Sequence, residues 1–448
     1  MNNQKIRTSD SLPVSSCDYW INLFCLIIFF AVLTLVHEYF PKIEIFLLAT
    51  IGLLATVIPL WLNDFLELRA YKRSSTGLLD RPGEVNQQRI IVKLIGLYGT
   101  FFIILLLYHF NPTYRTSIRA VEYYEPFFKF LSLMAPWIMG LTLIYFWQMD
   151  RRQSDPYDGY WHMGCLLTGR LKEVNKGILA EYARGWFIKG FFTPIMFVAL
   201  ASNLDFLLKT SRMEGLFSFL ALFDYILTFL YTIDLIYGLL GYILSLRLLD
   251  THMQSTEPTL LGWIICLACY FPFSALLGTG FFPYEDGIIW DTWLSAYPYY
   301  PWVYYLWAVV ILFLVLVYCL ATVAFGYRMS NLTYRGLITS GPYRFTKHPA
   351  YICKVASWWM ISMPFLSLQN PSVALHNTFN IGVVTLIYFL RAKTEENHLS
   401  NYPEYVQYAH WINEHGIFSA VSKHFPALQY SEEKAKRWKS VVWFKKLS

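Results

Sequence analysis

Charge is what this chain of 448 residues has least of: Asp, Glu, Lys and Arg make up 15% of it, against 56% hydrophobic and 19% aromatic residues. A soluble domain carries about a quarter charged residues, so the composition excludes an ordinary globular protein and points to an integral membrane one. Cysteine is sparse and odd in number. Cys17, Cys25, Cys165, Cys266, Cys269, Cys319 and Cys353 lie mostly in or beside apolar runs, which argues against a disulfide framework. Cys266 and Cys269 form a C-x-x-C that ordinary packing on a membrane helix accounts for. Internal repeats and low-complexity segments are missing, and so is a phosphate loop, since Gly278-Thr279-Gly280 lacks the strand and helix context one requires. His162 and Cys165 match no zinc spacing, so no metal is expected, and no feature calls for nucleic acid.

What is present is apolar length. About 20 apolar residues cross a bilayer, and ten stretches read as spans: Tyr19 to Tyr39, Ile43 to Leu62, Ile90 to Phe110, Phe127 to Trp147, Trp186 to Leu207, Leu216 to Ile243, Leu260 to Gly280, Trp302 to Tyr327, Ala350 to Leu368 and Asn377 to Leu390. The first follows a polar opening without a small-residue cleavage site and is too long for a signal peptide. The expected fold class is therefore all-α: a polytopic membrane protein of about ten transmembrane helices with a C-terminal cofactor-binding helical region. Basic residues are retained on the cytoplasmic side. With both termini cytoplasmic, the inner connections carry Arg69, Lys72, Arg73, Arg81 and Arg89, then Arg151, Arg152, Arg170, Lys172, Lys176 and Arg184, then Arg247, then Arg328, Arg335, Arg344 and Lys347. The outer ones hold only Lys42, Arg115, Arg119, Lys209 and Arg212.

Three regions carry polarity of interest away from the C-terminal end. Asp224 and Asp234 interrupt an apolar run, where a carboxylate is either functional or a satisfied structural group. The inner stretch 150–184, with Asp155, Asp158 and His162, is either a second wall of a site or a short interfacial helix. The aromatic outer loop Phe281 to Pro301 reads as an interfacial belt or a lid over a lipid-binding cavity. The tail from Ser431 interleaves six Lys or Arg with Trp438, Trp443 and Phe444, a composition suited to an anionic membrane surface or to a solvated terminus.

The densest chemistry is Gly341-Pro342-Tyr343-Arg344-Phe345-Thr346-Lys347-His348-Pro349-Ala350-Tyr351, at the start of the ninth apolar run. The ninth run leads away from the cytosolic edge and the tenth returns, so His348 and Tyr351 are expected to face Arg391, Glu395 and Glu396. Arg391 and Glu395, four apart, have the spacing of a helical ion pair.

Together, Gly341-Pro342-Tyr343, Lys347-His348-Pro349-Ala350-Tyr351, Arg391 with Glu395-Glu396 and Leu399, and Pro403-Glu404-Tyr405 with Tyr408 resemble the C-terminal signature of isoprenylcysteine carboxyl methyltransferases and related phospholipid methyltransferases. The resemblance covers about Asn331 to Trp411. It implies S-adenosylmethionine at the cytosolic membrane edge and a lipid or lipidated acceptor from the bilayer. Cofactor-binding roles then fall to Tyr343, Arg344, Lys347, His348, Pro349, Tyr351, Glu395 and Glu396, and catalytic roles to Arg391, Glu395 and His348. Arg344 or Lys347 would take the cofactor carboxylate, Glu395 or Glu396 its amine, and Tyr343 or Tyr351 its adenine or sulfonium. Lys347 replaces the usual Arg, and Cys353-Lys354 stands where Gly followed by Glu or Trp is common. Three regions follow: residues 1–300, a transmembrane region of open role; 301–415, a methyltransferase-like membrane domain; and 416–448, a basic amphipathic tail. Two other readings compete, an NADPH-dependent enzyme resembling the sterol reductases and a non-enzymatic lipid-binding or transport protein with Asp224 and Asp234 along a path.

Overall fold

Polar residues flanking the apolar runs set the helix ends. The computed structural model describes residues 11–114, 118–211, 218–275, 282–284, 289–295, 300–367, 370–425, 428–433 and 435. Asp18 caps α1 (Tyr19–Tyr39), its carboxylate accepting from the Trp20 amide at 2.9 Å. Asn86 caps α3 (Gln87–Phe110), Asp158 caps α5 (Gly159–Leu167), and Ser218 caps α7 (Phe219–Ile243). Such oxygens satisfy amides that the first helical turn leaves unpaired. Between them run α2 (Ile45–Leu62), α4 (Ile118–Asp150) and α6 (Lys176–Ser211). A two-residue strand β1 (Ser255–Thr256) precedes the short helices α8 (Leu260–Leu267), α9 (Phe273–Ala275) and α10 (Trp290–Ser295). The chain continues through α11 (Pro301–Phe325), β2 (Thr333–Tyr334), α12 (Pro349–Ser362), α13 (Pro371–Leu399), α14 (Pro403–His415) and α15 (Ser419–His424).

Among the described residues, eight helices are long and apolar enough to cross a membrane, which makes this a multi-pass all-α membrane protein. Two of the ten expected spans do not reach that length. The stretch from Leu260 forms helix only to Leu267 before turning toward Pro272. Helix α12 closes at Met363, whose φ is +42°, just before Pro364. Its 14 residues rise about 21 Å, against a hydrocarbon core of about 30 Å. Hydropathy reports apolar length but not the break imposed before a proline.

The polar stretch 150–184 folds onto the end of α3. Gly96 and Gly164 let α3 and α5 touch backbone to backbone: a Cβ on Gly164 would lie 1.9 Å from the Val92 carbonyl oxygen. Lys93, fully buried on α3, is neutralised by Asp150 at 2.9 Å and Asp158 at 3.3 Å, while Arg89 forks onto Asp150. Burial of such charges is tolerated because each is paired. His162 is buried and its Nδ1 accepts from the Asn175 amide at 3.2 Å, so α5 is a helix docked on α3.

Helices α1, α2, α6, α7 and α11 share one apolar core. Their cytosol-assigned ends are tied to the C-terminal region by buried arginines. Arg335 donates to the carbonyls of Gly241 in the last turn of α7 and of Leu244 and Thr251 beyond it. Arg328 lies 3.3 Å from Asp64 and donates to the Leu249 carbonyl. Both side chains had counted as loop charge in the orientation argument; the structure uses them as ties. Asp224 is exposed near the start of α7. Asp234, deeper on the same helix, accepts from the hydroxyls of Tyr318 and Thr322 on α11. The tail from residue 436 and positions 281, 285–288 and 296–299 of the aromatic loop lie outside the described residues.

Candidate functional site

The site is assembled where α12 starts and α13 ends. Residues 341–344 form a 3-10 turn, and Gly341 is required there twice over: its φ is +57°, and a Cβ would meet the Tyr19 ring at 2.7 Å. The turn is held from outside by Tyr408 on α14, whose hydroxyl donates to the Tyr343 carbonyl at 2.8 Å. The N-terminal segment supports its other side, Thr339 donating to the Pro13 carbonyl and the Ser16 amide to the Leu337 carbonyl. His348 precedes α12 and Pro349 takes its first position, where no amide is needed. A Trp359–Thr385 hydrogen bond of 2.9 Å then fastens α12 to α13.

Glu396 is the hub of the shallow layer. Its Oε1 lies 2.6 Å from Lys347 Nζ, an ionic contact off the hydrogen-bonding direction, and 3.1 Å from His348 Nε2. Its Oε2 accepts from Lys393 at 2.8 Å. Burial pulls the Lys347 ammonium below its ordinary pKa, although Glu396 opposes that shift. The Lys347 ammonium also sits over the Tyr430 ring. Glu395, half-buried, accepts among the described residues only from the Tyr351 hydroxyl, at 2.8 Å. The rings of His348 and Tyr351 stack at 5.6 Å with 8° between planes. Arg344 is exposed and has no side-chain partner among the described residues.

Arg391 occupies a deeper layer. Its guanidinium lies over the rings of Tyr351, Tyr270 and Tyr388, at 4.9, 5.4 and 5.9 Å from their centroids. It donates to the Asn331 side-chain oxygen and to Tyr270 Oη at 3.3 Å. The Asn331 amide group in turn donates to Tyr242 Oη at 2.6 Å, and Tyr242 stacks on Phe192 of α6. The expected Arg391–Glu395 ion pair is not formed: Asn331 and the aromatic box turn the guanidinium away, and Tyr351 takes the carboxylate.

The structure thus brings together His348, Tyr351, Glu395, Glu396 and Lys347 as expected, with Tyr343 and Pro349 shaping the turn. Arg391 lies beside Tyr351 by a different set of contacts, and Arg344 points to solvent. Sequence reasoning missed Asn331, Tyr270 and Tyr242, which carry no motif and come from three separate segments. It also missed a second cluster under the end of α13. Ser255 on β1 lies 2.8 Å from His398 Nε2 and accepts from the Tyr402 hydroxyl at 2.6 Å, while Glu257 lies 3.8 Å from His398 Nδ1. The strand β1 pairs antiparallel with β2, and Tyr334 of β2 stacks on Tyr402 at 3.7 Å.

A polar hub and an aromatic-boxed arginine at the junction of two apolar helices define a membrane-embedded helical domain with a site at a span boundary. Residues 303–401 match the family model for the Isoprenylcysteine carboxyl methyltransferase (ICMT) family. No curated protein and no solved structure matches the chain.

Proposed function

We propose that this protein transfers a methyl group from S-adenosylmethionine to a lipid or lipidated acceptor at the cytosolic edge of its membrane, with both termini cytoplasmic. The observation that carries the proposal is the division of labour between the two adjacent glutamates, within the family match at 303–401. Glu396 is saturated by Lys347, His348 and Lys393, whereas Glu395 has, among the described residues, one partner and carboxylate oxygen to spare. The donor set fits the cofactor. Arg344 offers a cation without a partner among the described residues for a carboxylate, Glu395 an anion for an amine, and the stacked His348–Tyr351 pair an aromatic face for an adenine or a sulfonium.

When bound, S-adenosylmethionine supplies an electrophilic methyl group. The protein's part is alignment and exclusion of water, since displacement in line is governed by geometry. Tyr351 bridges the two layers, joined to Glu395 by its hydroxyl and to Arg391 by its ring face. Arg391, held rigid by Asn331 and Tyr270, orients the acceptor, which enters from the bilayer. A carboxylate acceptor needs no base; an amine would lose its proton to His348 or Glu395.

Calorimetric titration of the purified full-length protein in detergent with S-adenosylmethionine and with NADPH tests the reading. Heat is expected with S-adenosylmethionine, weakened about ten-fold or more in Glu395→Gln through loss of a charge-assisted contact. Heat with NADPH alone would overturn the proposal in favour of a reductase.

A further inference from the structure

One cation near this site has no counterpart. Lys354 on α12 is half-buried, and among the described residues no acceptor lies within hydrogen-bonding or ion-pairing distance of its ammonium. The nitrogen rests instead over two rings, 5.0 Å from the Tyr318 centroid and 5.5 Å from that of Trp358. Asp234 acts on it through space as an opposite charge and Arg391 as a like one. Asp234 is held back by Tyr318 and Thr322, both of which donate to it.

The direction of the side chain is the informative part. On a helix, side chains lean toward the N-terminus, and the N-terminus of α12 is its polar edge, at His348. A lysine at position 354 therefore has an easy course: lean back about one turn and place its ammonium at the interface. Its ammonium rests between two rings instead. Trp358 is one turn further from that edge, and Tyr318 lies seven residues inside the corresponding end of α11 at Phe325, about 10 Å along the helix axis. A cation held toward the apolar layer is costly, so a charge of this kind marks a function by default. Two cation–π contacts offset part of that cost but leave the three N–H donors without acceptors.

We propose that Lys354 binds the anionic headgroup, carboxylate or phosphate, of the lipid acceptor. This rests on the methyltransferase reading and names the acceptor class. Of the two neighbouring cations, Arg391 has its Nη2 committed to Asn331 and Tyr270 and orients the acceptor beside Lys354, and Arg344 is exposed at the polar edge. Lys354 and Arg391 share the deeper layer, where a headgroup arriving from the bilayer meets them before the shallow cluster around Glu396. Tyr318 and Trp358 give that approach an apolar wall suited to an acyl or prenyl chain.

Full-length protein in detergent is titrated with oleate, with dioleoyl phosphatidate, and with the neutral counterparts oleyl alcohol and dioleoylglycerol, following tryptophan fluorescence. S-adenosylmethionine is titrated in parallel. Wild type is expected to favour an anionic lipid over its neutral counterpart by about ten-fold or more, the range of a charge-assisted contact. The stronger of the two anionic arms tells carboxylate from phosphate. Lys354→Met and Lys354→Gln should abolish the preference, Lys354→Arg should retain it, and all should keep wild-type affinity for S-adenosylmethionine and wild-type elution on size exclusion. A preference that survives in both neutral variants, or is absent from wild type, overturns the proposal. So does a parallel fall in S-adenosylmethionine affinity, which would assign the cation to the cofactor. Failure of wild type to bind S-adenosylmethionine, with the lipid preference intact and dependent on Lys354, would sink the methyltransferase reading while leaving the anion site standing.

Discussion

Glu395 and Glu396 are adjacent in sequence and opposite in circumstance. Glu396 compensates three donors in a site where it and Lys347 are less than a tenth exposed. Removing one member of a buried ionic cluster strands the others, at about 3–5 kcal/mol. Glu396→Gln is therefore expected to lower the thermal unfolding temperature of the detergent-solubilised protein by several degrees or more. Glu395→Gln exchanges one acceptor for another opposite the Tyr351 hydroxyl and should move it little, its effect falling on cofactor binding. Equal stability losses in the two variants would show that the proposed separation between a structural and a binding carboxylate is wrong. A matching contrast applies to Arg391. Arg391→Lys keeps the charge but loses the planar guanidinium that faces the rings of Tyr351, Tyr270 and Tyr388 while its Nη2 reaches Asn331 and Tyr270, and should cost about ten-fold or more in methyl transfer without changing the yield of folded protein. Wild-type turnover in that variant would remove Arg391 from the site. The encounter of His348 and Tyr351 with Glu395 and Glu396 was legible in the sequence, because one apolar run leaves the membrane edge and the next returns to it. Asn331, Tyr270 and Tyr242 were not. Each is a lone polar group in an apolar or loop context, and only the fold brings positions 60 to 149 residues before Arg391 onto its guanidinium.

At the level of elements, close approach matters more than hydropathy. Hydropathy located every helix long enough to span, yet counted two apolar stretches that Met363-Pro364 and the turn before Pro272 cut short. It was also silent on why α5 docks against α3, which depends on two glycines. A Cβ on Gly96 would lie 2.0 Å from the Tyr160 carbonyl oxygen, and one on Gly164 1.9 Å from that of Val92; backbone atoms such as these cannot turn aside. Gly164→Ala must part the helices, which would loosen Lys93 from Asp158 and Asp150 and leave buried charge unpaired. Gly140, also helical, meets nothing within 4 Å at the same test position. Gly140→Ala is expected to be neutral or stabilising by up to about 1 kcal/mol, the difference in helix propensity. Unfolding temperatures of the two variants in one detergent check this: a Gly164→Ala protein as stable as wild type would mean that α3 and α5 are not in backbone contact.

For the whole molecule, the question is whether the methyltransferase-like part stands alone. The family match begins at residue 303, close to the boundary expected at 300, and taken by itself would mark a separable unit. The contacts run across that boundary. Arg391 is positioned through Asn331 by Tyr242 on α7 and directly by Tyr270. The end of α13 rests on Ser255 and Glu257, β2 pairs with β1, and the turn at Gly341 leans on Tyr19. Arg335 is satisfied by carbonyls of Gly241, Leu244 and Thr251, so without them a guanidinium would be left buried among apolar helices. Tyr19 and residues 241–270 therefore brace the site, and residues 301–448 expressed alone are expected to be recovered poorly and to bind no S-adenosylmethionine. Co-expression of 1–300 with 301–448 should restore binding, because the missing contacts are noncovalent and the break lies at Tyr300-Pro301, just ahead of α11, outside all of them. Cofactor binding by the isolated C-terminal piece, at an affinity near that of the full chain, would refute the shared-site view and make the N-terminal spans a separate module.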